Sequence, residues 1–507
     1  MPGNCTSGLT NLSAGSENPD GKMCMTDQLL SILSRLSVAQ FCIRFTEVGI
    51  KPLTWPGAKA TSKRWPSKAG PSPHPFTSIH TFIMKKQQNR TLGAFEKTFW
   101  LLDQIDSKDF ALAADLSGNQ PLEKWQTALQ LVQQRHPNLS VRIVMDEQSR
   151  PTLQPVYNLI IPLRVVEAPE DYRWEQEVEN ELSVRFNTAE GPLLRVVLIQ
   201  KPQNTVLIVV ANHSVADGTS LSYLVRDLLL AVSGTALERL EPQVSNDQTL
   251  GLPDDQPVQT VDQVLELKVN TNRVKPLVSS RRIPENITRN LLERARQENT
   301  TVHGALCAAV LLACRKMRAE WSETKIELVS PICTRAALQL DDNFGLNITT
   351  QSVFFEQEQN LSFWNLARLA KVGLEGTASA EYVANYLSFF RNIVFGTNDL
   401  QQMLDVLRTA FNHQIMVTNL VRVKYKTDFG VLKLNSLYGP MVRSGKGTEQ
   451  TIGALTTNGS LCLTNTSDLP IPGLLGEMEK ILQEACQGGV DAVSGVDGAK
   501  AQSCLLA

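Results

Sequence analysis

The chain of 507 residues is long enough for two domains or for one large two-lobed unit. Its hydrophobic fraction of 42%, its charged fraction of 20% and its formal net charge of −2 are ordinary for a globular protein and give no electrostatic reason to expect nucleic acid as a partner. No apolar run reaches the roughly 18–20 residues that a membrane-spanning helix needs, so no transmembrane segment is expected.

Residues 1–89 differ in composition from the rest of the chain. Between residues 51 and 90 there are eight Lys or Arg residues, six prolines and no acid. A stretch so poor in apolar residues cannot bury enough surface to fold by itself. We therefore predict a disordered basic leader or tail over 1–89, or an extension upstream of a natural start at Met84.

From residue 90 onward, helical and strand patterns alternate. Apolar residues three to four positions apart predict helices, and short runs rich in Val, Ile and Leu predict strands. The predicted helices of the first part span 90–105, 122–137, 174–186 and 219–232. The predicted strands there span 140–146, 154–167, 192–200 and 205–212. This order predicts a first α/β lobe over 90–241.

A polar, proline-punctuated stretch over 242–275 is the predicted crossover linker. After it, helices are predicted at 287–297, 301–317, 361–374, 398–412 and 474–486. Strands are predicted at 325–332, 346–356 and 414–423, with further strands to about residue 465. These elements form a second α/β lobe over 276–487, followed by a flexible tail over 488–507. Interfaces between two such lobes are common places for small-molecule sites.

One stretch carries a chemical pattern: "VLIVVANHSVADG" (206–218) is an apolar strand that ends at Asn212 and His213, followed by Asp217 and Gly218. A histidine directly after a buried strand is held rigidly. An imidazole with a pKa of about 6.5 takes a proton from a hydroxyl or an amine at neutral pH. Gly218 removes a side chain where a substrate or a neighbouring backbone must come close. The pattern makes His213 a candidate general base.

The same residues also have a purely structural interpretation. His213 would then be a hydrogen-bonded core histidine and Asp217 an ordinary acid at a helix start, since a three-residue pattern often occurs by chance. Ser214 and Ser220 suggest a serine hydrolase, but the Gly-x-Ser-x-Gly turn of such enzymes is missing from HSVADGTS. The motif alone leaves the catalytic and the structural interpretations open.

The surroundings of the motif resemble the condensation-domain superfamily, which shares the chloramphenicol acetyltransferase fold and carries an H-x-x-x-D-G motif after a central strand. Four further segments resemble this family in the expected order: QQRHPNLSVRI (133–143), FNTAEGPLLRVVLI (186–199), SPICTRAAL to DNFGLNITT (330–350) and VTNLVRV (417–423). The likeness spans about residues 90–487 and is nearest in style to stand-alone alcohol O-acyltransferases of the polyketide-associated type. It predicts an α/β fold with two chloramphenicol-acetyltransferase-like lobes that form a pseudo-dimer with a tunnel between them.

The resemblance implies transfer of an acyl group from a thioester, on coenzyme A or on an acyl carrier protein, to a small-molecule alcohol (or amine), with His213 as general base. The thioester would be a co-substrate, and no bound cofactor, metal or nucleic acid is implied. Many peptide-forming members have a second histidine just before the catalytic one, whereas this chain has Asn212. An amide-forming stand-alone enzyme and a non-catalytic binding protein on the same fold are the alternatives.

The resemblance also suggests roles for residues outside the motif. Family aspartates at the position of Asp217 point away from the substrate and pair with an arginine, which would be Arg335 here. The alternative for Arg335 is a surface arginine in a loop. Asn347, Thr418 and Asn419 lie in family-like segments and are possible contacts to the oxyanion or the substrate. Ordinary strand and turn chemistry also explains these three residues.

Nine cysteines without Cys-x-x-Cys spacing argue against a zinc site or a disulfide framework and predict a reducing, cytoplasmic location. The last four residues, which begin at Cys504, match the C-a-a-X prenylation pattern, so prenyl anchoring through Cys504 is a second possibility for the location. We expect the protein to be a monomer.

Overall fold

The computed structural model of the chain describes residues 88–253, 274–357, 361–444 and 447–488. The predicted leader, 1–89, lies outside the described residues except for residues 88 and 89. The predicted tail, 488–507, which includes Cys504, lies outside them except for residue 488. The helices are α1 (Ala94–Ile105), α2 (Leu122–Arg135), α3 (Glu175–Leu182), α4 (Gly218–Val232), α5 (Asn246–Thr249), α6 (Glu285–Gln297), α7 (Val302–Met317), α8 (Ala319–Ser322), α9 (Arg335–Leu338), α10 (Phe363–Val372), α11 (Ala380–Val394), α12 (Leu400–Ala410) and α13 (Leu474–Gln487).

The strands form three sheets. They are β1 (Arg90–Thr91), β2 (Asp109–Ser117), β3 (Val141–Met145), β4 (Pro151–Pro155), β5 (Leu163–Glu167), β6 (Leu194–Gln200), β7 (Asn204–Asn212), β8 (Leu277–Ile283), β9 (Ile326–Cys333), β10 (Ile348–Phe355), β11 (Ile415–Arg422), β12 (Lys433–Val442), β13 (Gln450–Thr457) and β14 (Ser460–Ser467). The fold is α/β with two chloramphenicol-acetyltransferase-like lobes, as the sequence predicts.

The first lobe is built on a five-stranded sheet in the order β12-β2-β7-β6-β5. β6 and β7 form an antiparallel hairpin, as predicted, and β5 joins the edge in parallel to β6. β7 is buried from Thr205 to Asn212, because helix α4 and the hydrophobic cluster beneath α3 cover its two faces. Coverage of both faces explains why this strand is continuously apolar instead of alternating.

A small antiparallel sheet, in the order β1-β4-β3, flanks this lobe. Arg90 and Thr91 pair with Leu153 and Thr152 of β4. Because these two residues are extended, α1 begins at Ala94 and not at residue 90, where the apolar spacing places its start. The predicted extended stretch 154–167 is likewise divided between β4 and β5 by a loop.

The second lobe has a six-stranded sheet in the order β10-β9-β11-β13-β14-β8. Its strands are antiparallel except β11, which runs parallel to both of its neighbours. Helix α7 is buried over most of its length and packs against α10 and α13. It starts where the sequence predicts, because the Thr301 hydroxyl accepts the Gly304 N–H at 3.0 Å and caps the first turn.

The two lobes exchange elements, which the predicted division of the chain at residue 242 does not include. Strand β12 lies late in the chain but pairs with β2 in the first sheet. Helix α11 packs on α1, with the ring of Phe95 5.4 Å from that of Tyr386 and 5.0 Å from that of Phe390. The space between the lobes is therefore enclosed by elements from both halves of the chain.

Among the described elements of seven or more residues, β2, β8 and α11 were not predicted from the sequence, and the short helices α5, α8 and α9 were not predicted either. The sequence of β2, DFALAADLS, is rich in Ala and Asp, which are weak strand formers. Its pairing on both sides, with β12 and with β7, overrides that local preference. Within the described ranges, no helix combines the length and the apolar character that a bilayer crossing requires.

Candidate active site between the two lobes

The loop that carries the motif is anchored at both of its ends. At its start, the His213 N–H donates to the Lys108 carbonyl at 2.8 Å, which continues the β2–β7 ladder past its last pair, Asp109 with Asn212. At its end, Asp217 caps α4, because its Oδ1 accepts the Ser220 N–H at 2.8 Å. The sheet fixes His213 and the helix start fixes Asp217.

The imidazole of His213 lies between two phenyl rings. The ring centroids of Phe99 and Phe110 are 4.8 and 4.0 Å away, and both rings stack on it. Nδ1 lies 3.0 Å from the Ala216 carbonyl, which only accepts, so Nδ1 carries the proton and Nε2 has the free lone pair. Burial lowers the pKa of His213 to about 4, so the ring is neutral at pH 7.

Asp217 is completely buried and its two carboxylate oxygens are fully engaged. Besides the Ser220 N–H, it accepts the Nη1 of Arg335 at 2.8 and 3.0 Å and the Asn347 N–H at 2.7 Å. Arg335 also donates its Nη2 to the Ser220 hydroxyl at 2.7 Å. The ion pair expected from the resemblance is present, and it joins α4 of the first lobe to α9 of the second.

Asn212 occupies the position before His213 and makes its own buried network. Its Nδ2 donates to Asp109 Oδ1 at 3.0 Å, and its Oδ1 accepts the Ser214 N–H at 3.0 Å. Burial raises the pKa of Asp109, and the charge of Asp103 raises it further. Asn212 therefore connects the His213 loop to a buried acidic pair beneath it.

A cavity of about 430 Å³ lies between the lobes, and His213 lines it. Phe99, Phe411 and Met416 form an apolar part of its wall. Among the described residues, no Asp or Glu lines this cavity, whereas Lys and Arg line it at six positions: Lys108, Arg335, Arg408, Arg422, Lys424 and Arg443. A cavity of this size, with an apolar part of its wall, several cationic side chains and a neutral imidazole, is suited to a small organic substrate.

Sequence comparison identifies the region that contains this loop. Residues 99–243 match the sequence model of the condensation domain. A polyketide synthase–nonribosomal peptide synthetase of Aspergillus clavatus is 29% identical over 145 residues, which are 27% of this chain and 4% of that protein. The nonribosomal peptide synthetase kk1B of Curvularia clavata is 25% identical over 336 residues, which are 60% of this chain and 2% of that protein. The chain thus matches only a few per cent of the length of these relatives.

Solved structures extend the likeness to most of the chain. The first condensation domain of the CDA synthetase superposes with a TM-score of 0.58 at 15% identity, over 81% of this chain and 99% of that chain. The chain has a condensation-domain fold. Polyketide synthase associated protein 5 from Mycobacterium tuberculosis has the same fold, with a TM-score of 0.53 and 15% identity over 79% of this chain and 98% of that one.

The condensation-domain fold also occurs in a protein solved with coenzyme A. The structure of F. graminearum TRI101 complexed with coenzyme A and T-2 mycotoxin has a TM-score of 0.55 and 12% identity, over 75% of this chain and 95% of that chain. At this level of identity the likeness shows the fold alone. The chemistry of this chain must therefore be argued from its own cavity.

Within this condensation-domain fold, four of the other predicted site residues line the cavity: Gly218, Arg335, Thr418 and Asn419. A Cβ on Gly218 would lie 2.6 Å from Pro440 Cγ, so a side chain of β12 makes the close approach there. Asn419 uses its Oδ1 to accept the Val421 N–H at 2.7 Å, which leaves its Nδ2 as the donor.

Asn347 was predicted as a possible contact to the oxyanion or the substrate, but its side chain does not line the cavity. Its carboxamide is fully buried and forms two hydrogen bonds with Gln243, at 2.6 and 3.2 Å. Its backbone N–H is used by Asp217. Asn347 therefore supports the ion pair through its backbone, and its side chain is bonded away from the cavity. Its sequence neighbour Ile348 lines the cavity instead.

Sequence reasoning missed most of the other residues of the cavity, among them Lys108 and His413. His413 is buried, and burial lowers its pKa to about 4. Its Nε2 lies 3.3 Å from the Ser444 hydroxyl. Neither residue belongs to a recognisable motif. Lys108 reaches the cavity through the pairing of β2 with β7, which places it opposite His213 and which no local sequence signal specifies.

The two motif serines lack the geometry of a nucleophile. Ser214 Oγ is buried without a hydrogen-bond partner among the described residues. Ser220 Oγ is taken up by Arg335 and by the Gly345 backbone, with distances of 2.7 Å to both. Neither hydroxyl bonds to His213, which a Ser–His pair requires. In the described part of the chain, no group of three or more His, Cys, Asp or Glu side chains is arranged to hold a metal ion.

Proposed function

We propose that the protein is an acyltransferase that moves an acyl group from a thioester, on coenzyme A or an acyl carrier protein, to the hydroxyl of a small-molecule alcohol. The observation that carries the proposal is the state of His213. Its Nδ1 is held by the Ala216 carbonyl, and its Nε2, which accepts no hydrogen bond from a described residue, belongs to a ring that lines the cavity. Such an imidazole is prepared to act as a general base.

In the proposed reaction, Nε2 of His213 takes the proton of the acceptor hydroxyl while the oxygen forms a bond to the thioester carbonyl carbon. The resulting tetrahedral oxyanion collapses by breaking the carbon–sulfur bond. The imidazolium returns its proton to the departing sulfur, so the products are an ester and a thiol. The hydrogen bond from Nδ1 to Ala216 keeps the ring in one orientation throughout and favours the transient imidazolium.

The oxyanion requires donors in the opposite wall of the cavity. Thr418 lies there on β11, and Asn419 follows it with its Nδ2 free to donate. Both residues come from the second lobe, while the base comes from the first. The proposed reaction therefore depends on the two lobes meeting correctly, which the Asp217–Arg335 ion pair supports.

The charge of the cavity favours an alcohol over an amine as the acceptor. A free amine is mostly protonated at neutral pH and would approach as a cation. The described lining offers six Lys or Arg residues and no acid. Arg335, Arg408 and Arg443 pair with acids behind the wall, and the positive charge that remains repels such a cation. A neutral hydroxyl carries no such penalty. The positive lining therefore favours the ester-forming reaction over the amide-forming alternative.

The test is a thioester-release assay with acyl-coenzyme A donors of increasing chain length and the same acyl groups on a holo acyl carrier protein. Each donor is offered with an alcohol and with the amine of the same skeleton, and products are identified by mass spectrometry. We expect acceptor-dependent thiol release and an ester product. An amide product with the amine alone would support the condensation alternative. Tight binding of donors without any turnover would leave a binding protein.

A further inference from the structure

Lys108 is the cross-strand neighbour of His213. The pair Asp109 with Asn212 and the hydrogen bond from the His213 N–H to the Lys108 carbonyl place residues 108 and 213 directly opposite each other. Residues opposite each other in an antiparallel ladder project to the same face, with Cβ atoms about 5 Å apart. Both side chains line the cavity. An ammonium group therefore lies beside the proposed base.

The ammonium of Lys108 is poorly satisfied within the protein. Its side chain is only 14% exposed, and its nearest acid is Asp106, at 3.7 Å from Nζ to Oδ2. Among the described residues, no acceptor lies within hydrogen-bond distance of Nζ. A largely buried cation normally has hydrogen-bonded partners, because leaving its donors unmade is costly. Lys108 therefore has N–H donors available for an anion in the cavity.

A second cation of the cavity is in a similar state. Arg443 is 7% exposed and donates Nε and Nη2 to Asp468, at 3.2 and 2.6 Å. Its Nη1 is buried without a hydrogen-bond partner among the described residues and lies 3.7 Å from Asp106 Oδ1. Asp106 therefore lies 3.7 Å from the nearest nitrogen of each of two cations, Lys108 and Arg443, which is too far for a hydrogen bond to either.

His413 also lines the cavity, near enough to Lys108 to be affected by its charge. Burial is the main cause of its low pKa, and the charge of Lys108 lowers it further, as it also does for His213. The ammonium is thus close enough to both imidazoles to act on them. Because both rings are neutral at pH 7, the fixed positive charge here comes from Lys108 and Arg443.

We propose that Lys108, together with Arg443 and His413, binds a carboxylate group of the substrate beside His213. This inference rests on the proposed acyl transfer and adds the class of substrate, an acceptor or an acyl group that carries an acid. A carboxylate only accepts hydrogen bonds and has two oxygens for the several donors present. Asp106 and Asp468 partly offset the two cations, so a single negative charge fits this end better than a phosphate dianion.

The experiment measures binding, which does not depend on turnover. The probes are 3-phenylpropionate and its neutral counterpart 3-phenylpropionamide, whose phenyl group suits the Phe99 and Phe411 wall. Affinities are measured by isothermal titration for the wild-type protein, for Lys108→Met and for Lys480→Met, a charge-matched control on the surface of α13. We expect the wild type and the control to prefer the acid by about tenfold or more, and Lys108→Met to lose that preference.

Several outcomes would overturn the proposal. Equal affinity for the acid and the amide in the wild type would do so, as would an acid preference that survives in Lys108→Met. Phenyl phosphate binding more tightly than 3-phenylpropionate would replace the carboxylate by a phosphate. Melting curves of each variant verify that the fold is retained. These results stand even if the acyltransferase assay fails, so the two proposals fail separately.

A turnover measurement then separates substrate binding from oxyanion stabilisation. With an acid-bearing acceptor and its methyl ester, Lys108→Met should lower kcat/KM by about tenfold or more for the acid alone. An equal fall in kcat for both acceptors would assign Lys108 to the oxyanion and overturn the carboxylate site. Lys108→Arg should retain part of the preference for the acid, because it keeps the charge at this position.

Discussion

His213 and Asp217 lie four residues apart in one loop, and both are buried, yet their surroundings are opposite. Asp217 has every oxygen engaged by donors from both lobes. His213 has one nitrogen fixed by a carbonyl and the other without a partner among the described residues, in a ring that lines the cavity. Burial alone therefore does not distinguish a residue that does chemistry from one that holds structure. What separates these two residues is that the imidazole of His213 lines the cavity with one nitrogen left over, whereas both oxygens of Asp217 are used inside the protein.

The largest expected effect is on turnover when His213 is replaced. His213→Ala should lower kcat about 10²–10⁴-fold, the usual contribution of a positioned base. Because the imidazole stacks between Phe99 and Phe110, the alanine variant also loses packing, and its melting temperature should fall. His213→Gln fills more of the space and serves as the second variant. Unchanged turnover in a folded His213→Gln protein would show that the imidazole is not the base.

Replacement of Asp217 should act on stability first. Asp217→Ala leaves the Arg335 guanidinium buried without its carboxylate, which should cost about 3–5 kcal/mol in the free energy of unfolding. Asp217→Asn still accepts hydrogen bonds and should cost less. The measurement is denaturant unfolding of both variants beside the wild type. A stable but inactive Asp217→Ala protein would place this carboxylate in the chemistry and remove the contrast with His213.

The smallest effect concerns the pH profile. The base must be unprotonated, and burial lowers the pKa of His213 to about 4, so its base form persists down to that pH. The acid limb of kcat/KM should therefore lie near pH 4, and the value at pH 5.5 should match that at pH 7. An ordinary imidazole would lose about tenfold at pH 5.5. An acid limb near pH 6.5, with circular dichroism showing an intact fold, would contradict the burial of the free base.

Much of the loop was predictable because its signals are local. A run of apolar residues predicts the buried strand β7, and Asp217 before an apolar helical pattern predicts the cap of α4. The contact of Asp217 with Arg335 spans 118 residues and could be expected only from the resemblance. These parts depend on spacing along the chain or on the resemblance to a family pattern, and both can be recognised in one sequence.

The rest of the cavity depends on strand pairing, which one sequence does not specify. Lys108 lies beside His213 only because β2 pairs with β7, and the Ala- and Asp-rich sequence of β2 gives a weak strand signal. Asn347 shows the same limit at the scale of one residue. The sequence indicated the segment that reaches the cavity, but the residue that lines it is Ile348, while the Asn347 side chain bonds to Gln243. A shift of one position along an extended segment exchanges its two faces.

The position of β12 has a consequence for the biogenesis of the protein. Ser117 of β2 bonds to Asn435, which is 318 positions away, so this contact closes a very long loop and is expected to form late in folding. A nascent chain that ends before β12 presents β2 as an open edge, which invites pairing with other chains. Pro440, Val442 and Arg443 arrive with the same segment and wall the cavity. A chain that ends before β12 therefore lacks part of the pocket wall as well as the strand that covers the edge of β2.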